Sequence, residues 1–511
     1  MTRKDPKLQW LLGFCLLKIL IHFYTDGLYG LHRDEFLYID EGRHLAWGFM
    51  EVPPFTPFVA WFADWFGNHP IVFRFIPSVA GALIIFFVGK MIISVGGGKW
   101  AIIFASNALL VSPSLLRSAT LLQPVIFNQL FWLMSAYWVL RILQTEEHRY
   151  WYYLGATVGI AFLNKYSILF YVVALIIGLL LTPQRKILFQ KHFPVAILIA
   201  MIIASPNIFW QYAHNWPVIT HMRELSERQL VHVNWSGFLA DQLLFHFLSG
   251  TLWITGIVAL FRYISNYRYR FVVLAYFATI LIIGSLSGKS YYTIGAYYAL
   301  FPFGAILLER VLSKSWQKGL FIAGLVIFTA PILPLGTSIL PIDQLKAYCK
   351  YLDEEVGFDA VLYWEDGKKY ALPQDFADMH GWEELARKVG QHYNALPDTI
   401  RDNTIIYGGS YGHAGSLNFY REKYDLPETY SRNGSYMLWG NEDARFDHII
   451  VIEEEHSDRW RDFGTITLVD SISDPYARDK GYTYFQTDTL RDPSVRWKAV
   501  YVDARKRFHR D

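Results

Sequence analysis

Hydrophobic runs of roughly 17 to 23 residues recur along the chain from Leu11 to Leu340, each long enough to cross a hydrocarbon core ~30 Å thick. Backbone groups in lipid have no water to bond, so a chain patterned this way must fold as a bundle of membrane helices. Its composition agrees: of 511 residues, 53% are hydrophobic, 17% aromatic and only 18% charged. After Pro341 the sequence turns charged, mixed and loop-rich. Two domains are expected, a transmembrane one over 1–340 and a soluble one over 341–511. The net charge of +2 singles out no partner and argues against nucleic acid. Cys15 and Cys349 fall in different domains and frame neither a disulfide nor a metal cluster. Leu8 to Leu28 carries the basic flank Arg3, Lys4 and Lys7 of a signal sequence. It lacks a small-residue cleavage site and is followed by an acidic loop, so it reads as a retained helix.

The pattern predicts about eleven membrane helices, near 9–29, 71–93, 100–115, 124–142, 151–164, 166–182, 193–211, 240–261, 270–287, 293–309 and 318–339. Alternate connections are short and basic: Arg3/Lys4/Lys7, Lys90/Lys99, Arg141/Arg149, Arg185/Lys186/Lys191, Arg262/Arg268/Arg270 and Arg310/Lys314/Lys318. Lys and Arg enrichment marks cytoplasmic loops, so these face inward. The N-terminus is then cytoplasmic and the C-terminal domain extracytoplasmic.

The opposite set of loops holds the unusual residues. The first reads His32-Arg33-Asp34-Glu35-Phe36-Leu37-Tyr38, then Glu51-Val52-Pro53-Pro54. The turn between helices five and six holds Asn164-Lys165-Tyr166, and a later turn holds Gly288-Lys289-Ser290-Tyr291-Tyr292. His214, His221, Arg223, Glu224, Glu227 and Arg228 lie in the stretch 212–239. All fall on one side, and a single polar chamber at the outer leaflet uses them most simply. Plainer readings stand beside this one. Lysines at helix ends commonly snorkel, loop histidines are commonly ordinary, and Glu51 reads equally as a loop charge. Asp34-Glu35 is harder to dismiss, because carboxylates at the hydrocarbon boundary are costly without a partner or a purpose.

A carboxylate just above the lipid surface can take a proton from an incoming hydroxyl or amine. Nearby lysines can hold a phosphate and stabilise the charge it gains on leaving. No Walker loop and no Gly-rich dinucleotide fingerprint is present, and Gly96-Gly97-Gly98-Lys99 is a short turn. An activated donor on this side of the membrane would therefore be carried by lipid.

Here the sequence resembles a known family. Asp34-Glu35 after helix one, the run LAWGFMEVPPFTPFVAWF, the Lys165-Tyr166 turn and GKSYYTIGAYYALFPFGA look like glycosyltransferase family 39. That family lies in the GT-C fold group with protein O-mannosyltransferases and the aminoarabinose transferases of lipid A. YGGSYGHAGSLNFYREKYDLPETYSRNGSYMLWG resembles the outer domain of its bacterial members. The resemblance implies an inverting transfer from a polyprenyl-phosphate sugar, with undecaprenyl phosphate as the carrier, in a bacterial cytoplasmic membrane. It makes Asp34 the catalytic aspartate, supported by Glu35. Arg33, Tyr38, Glu51, Lys165, Tyr166, Lys289, Tyr291 and Tyr292 would contact substrate. Glu51 resembles a metal ligand of the aminoarabinose transferases, which leaves a divalent metal held by Glu51 and His221 open beside metal-free catalysis. Where those enzymes have Lys after this Glu, Val52 stands here, and Lys165 and Lys289 are its expected substitutes.

Residues 341–511 alternate helix and strand, with helices expected at 342–356, 381–394 and 413–423 and strands at 403–408, 447–453, 465–470 and 497–503. This predicts a small α/β layer. Gly408-Gly409-Ser410-Tyr411-Gly412 between strand and helix reads as a tight turn, with anion binding as the alternative. A transporter or flippase of a lipid-linked sugar, without chemistry, is the rival reading of the whole chain. Such proteins show internal repeats and charges near the midplane; this sequence shows no repeat. The sugar and the acceptor, whether lipid, glycan or protein, are not specified by any motif.

Overall fold

A computed structural model describes residues 6–228, 230, 233–263, 267–441, 443–453, 465–488, 497–498 and 501. Of the expected strand at 497–503 only residues 497, 498 and 501 are among these, and they are helical; the basic pair Arg3/Lys4 lies outside them. The chain forms two compact units: 1–26, 73–209 and 223–339 in one; 27–72, 210–222 and 340–511 in the other.

The first unit is helical. Among the described residues six helices are long and apolar enough to cross a membrane: Pro6–Thr25, Pro70–Ser94, Pro124–Thr145, His192–Ala213, Tyr267–Ser285 and Ser315–Gly336. Three further bent pairs raise the number to nine if each is one span. They are Lys99–Leu110 with Pro113–Thr120 (60°), Trp235–Leu244 with Phe247–Arg262 (84°) and Ser290–Tyr297 with Phe301–Val311 (53°). The other two of the eleven expected segments are the short helices Arg149–Phe162 and Ile168–Leu180. At about 1.5 Å per residue neither reaches across the hydrocarbon core unaided. Hydropathy locates apolar segments but is blind to where a helix breaks, so among the described residues six to nine spans are long and apolar enough to cross.

Within this bundle Pro124–Thr145 is central, with 78% of its apolar window buried, whereas Ser315–Gly336 has 17%. Small residues let backbones approach. A Cβ on Gly304 would strike the Leu252 carbonyl, and one on Gly256 would lie 2.4 Å from the Leu300 carbonyl. Two buried groups near the end of the first helix are paired. Arg74 donates to the Asp26 carbonyl (2.7 Å) and His22 Nδ1 lies 3.2 Å from the Asp26 carboxylate.

The second unit is built on a five-stranded sheet. Its strands are β1 (Thr404–Gly408), β2 (Thr429–Tyr430), β3 (His448–Glu453), β4 (Thr465–Ser471) and β5 (Thr483–Asp488), in the order β2-β1-β3-β5-β4. β1 runs parallel to β2 and β3, pairing Ile406 with Thr429 and Ile405 with Ile449. β5 is antiparallel to β3 and β4, with Ile450 opposite Gln486. Apolar β1 and β3 fill the centre, where Ile406, Ile450 and Ile452 pack on Leu385, Val389 and Leu417. The helices used below are α1 (Arg33–Arg43), α2 (Phe55–Asp64), α3 (Ile342–Tyr351), α4 (Trp382–Ala395), α5 (Tyr411–Phe419) and α6 (Tyr436–Trp439). Thus α1 and α2, from the first long loop, belong to the same unit as the C-terminal region. Phe36 of α1 meets Trp382 of α4 and Phe419 of α5 with ring centroids 6.0 and 5.5 Å apart.

Candidate active site

The chemistry-bearing loop residues sit at the start of α1. His32 is the N-cap, extended at φ −73°, ψ 150°, and its Nδ1 accepts from the Asp34 backbone N–H at 3.1 Å. Glu35 reaches back so that its Oε2 accepts from the His32 N–H at 2.8 Å. This is a capping box, a device whose N-cap alone contributes about 0.5–2 kcal/mol. Glu35 is fully buried and serves the cap, while Asp34 keeps 29% of its side chain exposed. Asp34 therefore stands in the first turn, where the helix dipole favours an anion.

Its partner comes from the far end of the chain: the Tyr411 hydroxyl donates to Asp34 Oδ1 at 2.8 Å. Arg33 lies over the Tyr411 ring, 4.7 Å from its centroid. Burial, against the opposing pull of Arg33 and helped by the charge and hydrogen bond of Asp34, holds the Tyr411 hydroxyl well above the usual phenol range. It is a donor at any working pH. Tyr38 is buried one turn further along α1.

Glu51 meets the second sequence motif. Its Oε1 accepts from the Ser435 N–H (3.0 Å) and its Oε2 from the Ser435 hydroxyl (2.5 Å). Gly434 precedes at φ +60°, and a Cβ there would lie on the Glu51 carboxylate, so the turn requires glycine. Glu41 Oε1 lies 3.1 Å from the same Ser435 hydroxyl. Burial, then the charge of Glu51, push the Glu41 carboxyl well above its ordinary range.

A carboxyl raised on folding stabilises the fold while protonated. That contribution is present below its unfolded pKa and is lost as pH rises toward the folded value. Glu41→Gln removes this dependence. Thermal unfolding between pH 5 and 9 is expected to show wild type losing up to about 1.4 kcal/mol per pH unit more than the variant. Parallel profiles would show that Glu41 is ionised in both states.

The lysines form a cluster in the first unit. Lys165 Nζ lies 4.4 Å from the Tyr292 ring centroid and 5.6 Å from that of Tyr291, and Lys289 Nζ is 5.9 Å from Tyr291. Tyr166, beside Lys165, donates to Asn207 Oδ1 at 2.8 Å. Burial, then the charge of Lys289, bring Lys165 down to about 8. Two cations framed by tyrosines suit a phosphate. Ser290 donates to Asp241 (2.6 Å), and Thr293 and Tyr297 both donate to Gln242 (2.6 Å each), which fixes this turn.

A metal finds little support in this arrangement. Both oxygens of Glu51 already accept from Ser435. Among the described residues no group of three or more His, Cys, Asp or Glu side chains is placed to hold an ion, and His221 joins no such group. No step below passes through a metal. His214 is stacked on Trp210 at 4.1 Å.

Reasoning from sequence reached Asp34 and Glu51 but missed Tyr411, Ser435 and Glu41. The signal for two of them was present. GGSYGHAG and NGSYMLWG carried the family resemblance, and each delivers one side chain to a first-loop carboxylate.

Residues 51–210 match the family model described as dolichyl-phosphate-mannose-protein mannosyltransferase. Two crystal structures of ArnT from Cupriavidus metallidurans share the fold. The one bound to undecaprenyl phosphate has TM-score 0.62 and 12% identity, covering 95% of this chain and 98% of that one. The apo form has TM-score 0.62 and 15% identity, covering 94% and 98%. The resemblance to family 39 of the GT-C group is borne out as a likeness in sequence and fold, and the chain is a multi-pass membrane protein with the ArnT fold. Among curated proteins it is similar to the lipid A galacturonosyltransferase RgtD of Rhizobium johnstonii, 29% identical over 195 residues. That match covers 36% of this chain and 40% of the relative's length.

Proposed function

We propose that this chain is an inverting glycosyltransferase. It moves a sugar from a polyprenyl-phosphate donor to an acceptor on the outer face of a bacterial cytoplasmic membrane, with Asp34 as general base. The observation that carries the reading is Asp34 itself: a partly exposed carboxylate at a helix start, held by a tyrosine, in a chain with the ArnT fold. The acceptor hydroxyl or amine attacks the anomeric carbon, its proton passes to the Asp34 carboxylate, and the carbon–oxygen bond to phosphate breaks. The lipid phosphate departs as the leaving group and the anomeric configuration inverts. The undecaprenyl phosphate bound to one ArnT structure supports such a donor, and the similarity to RgtD supports a lipid as acceptor.

The test uses full-length protein in nanodiscs with radiolabelled polyprenyl-phosphate sugars and a membrane extract. Consumption of one donor with label appearing on an acceptor is expected. Movement of intact donor between leaflets without bond cleavage would instead mark a flippase.

The lysine cluster adds a pH signature. Below about 8 Lys165 is protonated and attracts the donor phosphate; above it the charge is lost. Donor KM is expected to rise several-fold between pH 7 and 9.5, and Lys165→Arg, which stays charged, to flatten that rise. A variant whose KM climbs as steeply as wild type would remove Lys165 from the donor site.

A further inference from the structure

We infer that Tyr411, contributed by the C-terminal region, is a positioning residue for the catalytic carboxylate. Its hydroxyl fixes one oxygen of Asp34 so that the carboxylate faces the acceptor. This rests on the reading of Asp34 as base and extends it to a part of the chain to which the catalytic reading gave no role.

Both partners are held by built structure. β1 ends at Gly408, where a Cβ would lie 2.7 Å from the Ala414 nitrogen, so only glycine lets the strand turn so tightly into α5. The Gly409 N–H donates to the Ile452 carbonyl (2.8 Å), tying the turn to β3. Ser410 caps α5 by accepting from the His413 N–H (3.3 Å). Tyr411 is thus the first residue of a capped helix springing from the centre of a sheet, which is a rigid place to mount a side chain.

On the other side α1 is fixed by its own capping box and by close contact with α5. A Cβ on Gly415 would lie 2.8 Å from Phe36 Cβ, so the two helices meet at glycine distance. The Arg33 N–H donates to the Asp378 carbonyl at 3.0 Å, seating the start of α1 on the segment before α4. Arg33 over the ring then limits the rotation of Tyr411. Of all the acceptors a tyrosine at this corner could take, it takes the carboxylate that does the chemistry. A base held to a fraction of an ångström delivers the orientation on which proton transfer depends, and a 1 Å misplacement costs about 10²-fold.

Wild type, Asp34→Asn, Tyr411→Phe and Asp34→Asn/Tyr411→Phe are compared as full-length protein in nanodiscs, with the donor consumed by wild type. Tyr411→Phe keeps the ring beneath Arg33 and loses only the hydroxyl. Its kcat is expected to fall about 10- to 100-fold with donor KM within twofold of wild type and an unchanged thermal midpoint. The double variant is expected to be no slower than Asp34→Asn alone, because a group acting through Asp34 has nothing left to position. Wild-type kcat in Tyr411→Phe beside a silent Asp34→Asn overturns the inference and leaves the base intact. Wild-type turnover in Asp34→Asn overturns both. A lowered kcat accompanied by an equal loss in thermal midpoint and a raised KM also overturns it, since that pattern marks a structural hydroxyl.

Discussion

Asp34→Asn is expected to lower kcat by about 10²- to 10⁴-fold, the range a general base contributes. The fold should survive, because Asn retains an oxygen to accept from Tyr411 and a backbone N–H to donate to His32 Nδ1. Donor KM should hardly move, since the residues assigned to the phosphate are Lys165 and Lys289. The neighbouring carboxylate gives the contrast. Glu35→Gln still caps His32 and should retain turnover within a few-fold; Glu35→Ala loses the cap and lowers stability by about 1 kcal/mol. Two adjacent acidic residues thus separate, one by rate and the other by melting temperature. Single-turnover transfer with a labelled donor, alongside thermal unfolding, measures both. An Asn variant that turns over like wild type removes Asp34 from the chemistry.

That separation was not legible in the sequence. Asp34 and Glu35 were paired because they are adjacent, and adjacency on a helix points side chains about 100° apart. What divides them is His32, whose extended backbone makes it an N-cap and turns Glu35 back on the cap. His at an N-cap is not among the residues that announce a helix start, so the capping box was hidden. Glu51 was legible as unusual, standing before Pro53-Pro54, but its partner is Ser435, 384 residues away. No local pattern reports such a pairing.

The strands show the same division. β1 and β3 are continuous apolar runs with β-branched residues, the mark of strands buried on both faces, and their expected limits were within a residue of those observed. β5, with the sequence TYFQTD, has neither run nor clean alternation, and it went unseen although it lies between β3 and β4. In the membrane unit the apolar segments were all located. Their breaks were not, because a helix bent by 84° between Leu244 and Phe247 carries the same hydropathy as a straight one. Tyr411 is the instructive miss. Its turn was read correctly as strand to helix, but the turn was weighed as an anion site or a loop and not as a mount for its own first side chain.

The largest structural effect is expected from ending the chain after Leu340. Treated as an appended soluble domain, residues 341–511 would be removable. The pairing says otherwise. Asp40, on α1 and 2% exposed, has its Oδ2 bonded by Asn418 Nδ2 (2.9 Å) and the Tyr436 hydroxyl (2.7 Å). Burial pushes its carboxyl up, against the opposing pull of Arg43 and those hydrogen bonds, so it depends on partners that truncation deletes. Glu41 and Glu51 lose Ser435, Asp34 loses Tyr411, and Phe36 loses Trp382 and Phe419. Exposing one buried aromatic costs about 1.5–3 kcal/mol, and each carboxyl left without its donor a further 1–3 kcal/mol. A stretch of 46 residues, Gly27–Val72, cannot supply that from its own contacts. Truncated protein purified in detergent is therefore expected to be cut within 27–72 by a protease that spares the intact chain, and to show no transfer. Donor binding at the lysine cluster should persist, because Lys165 and Lys289 meet Tyr291 and Tyr292 within the membrane unit itself. Unchanged transfer to every acceptor by the truncated chain would mean that α1 holds Asp34 without help. The C-terminal region would then have to be assigned a role outside the reaction.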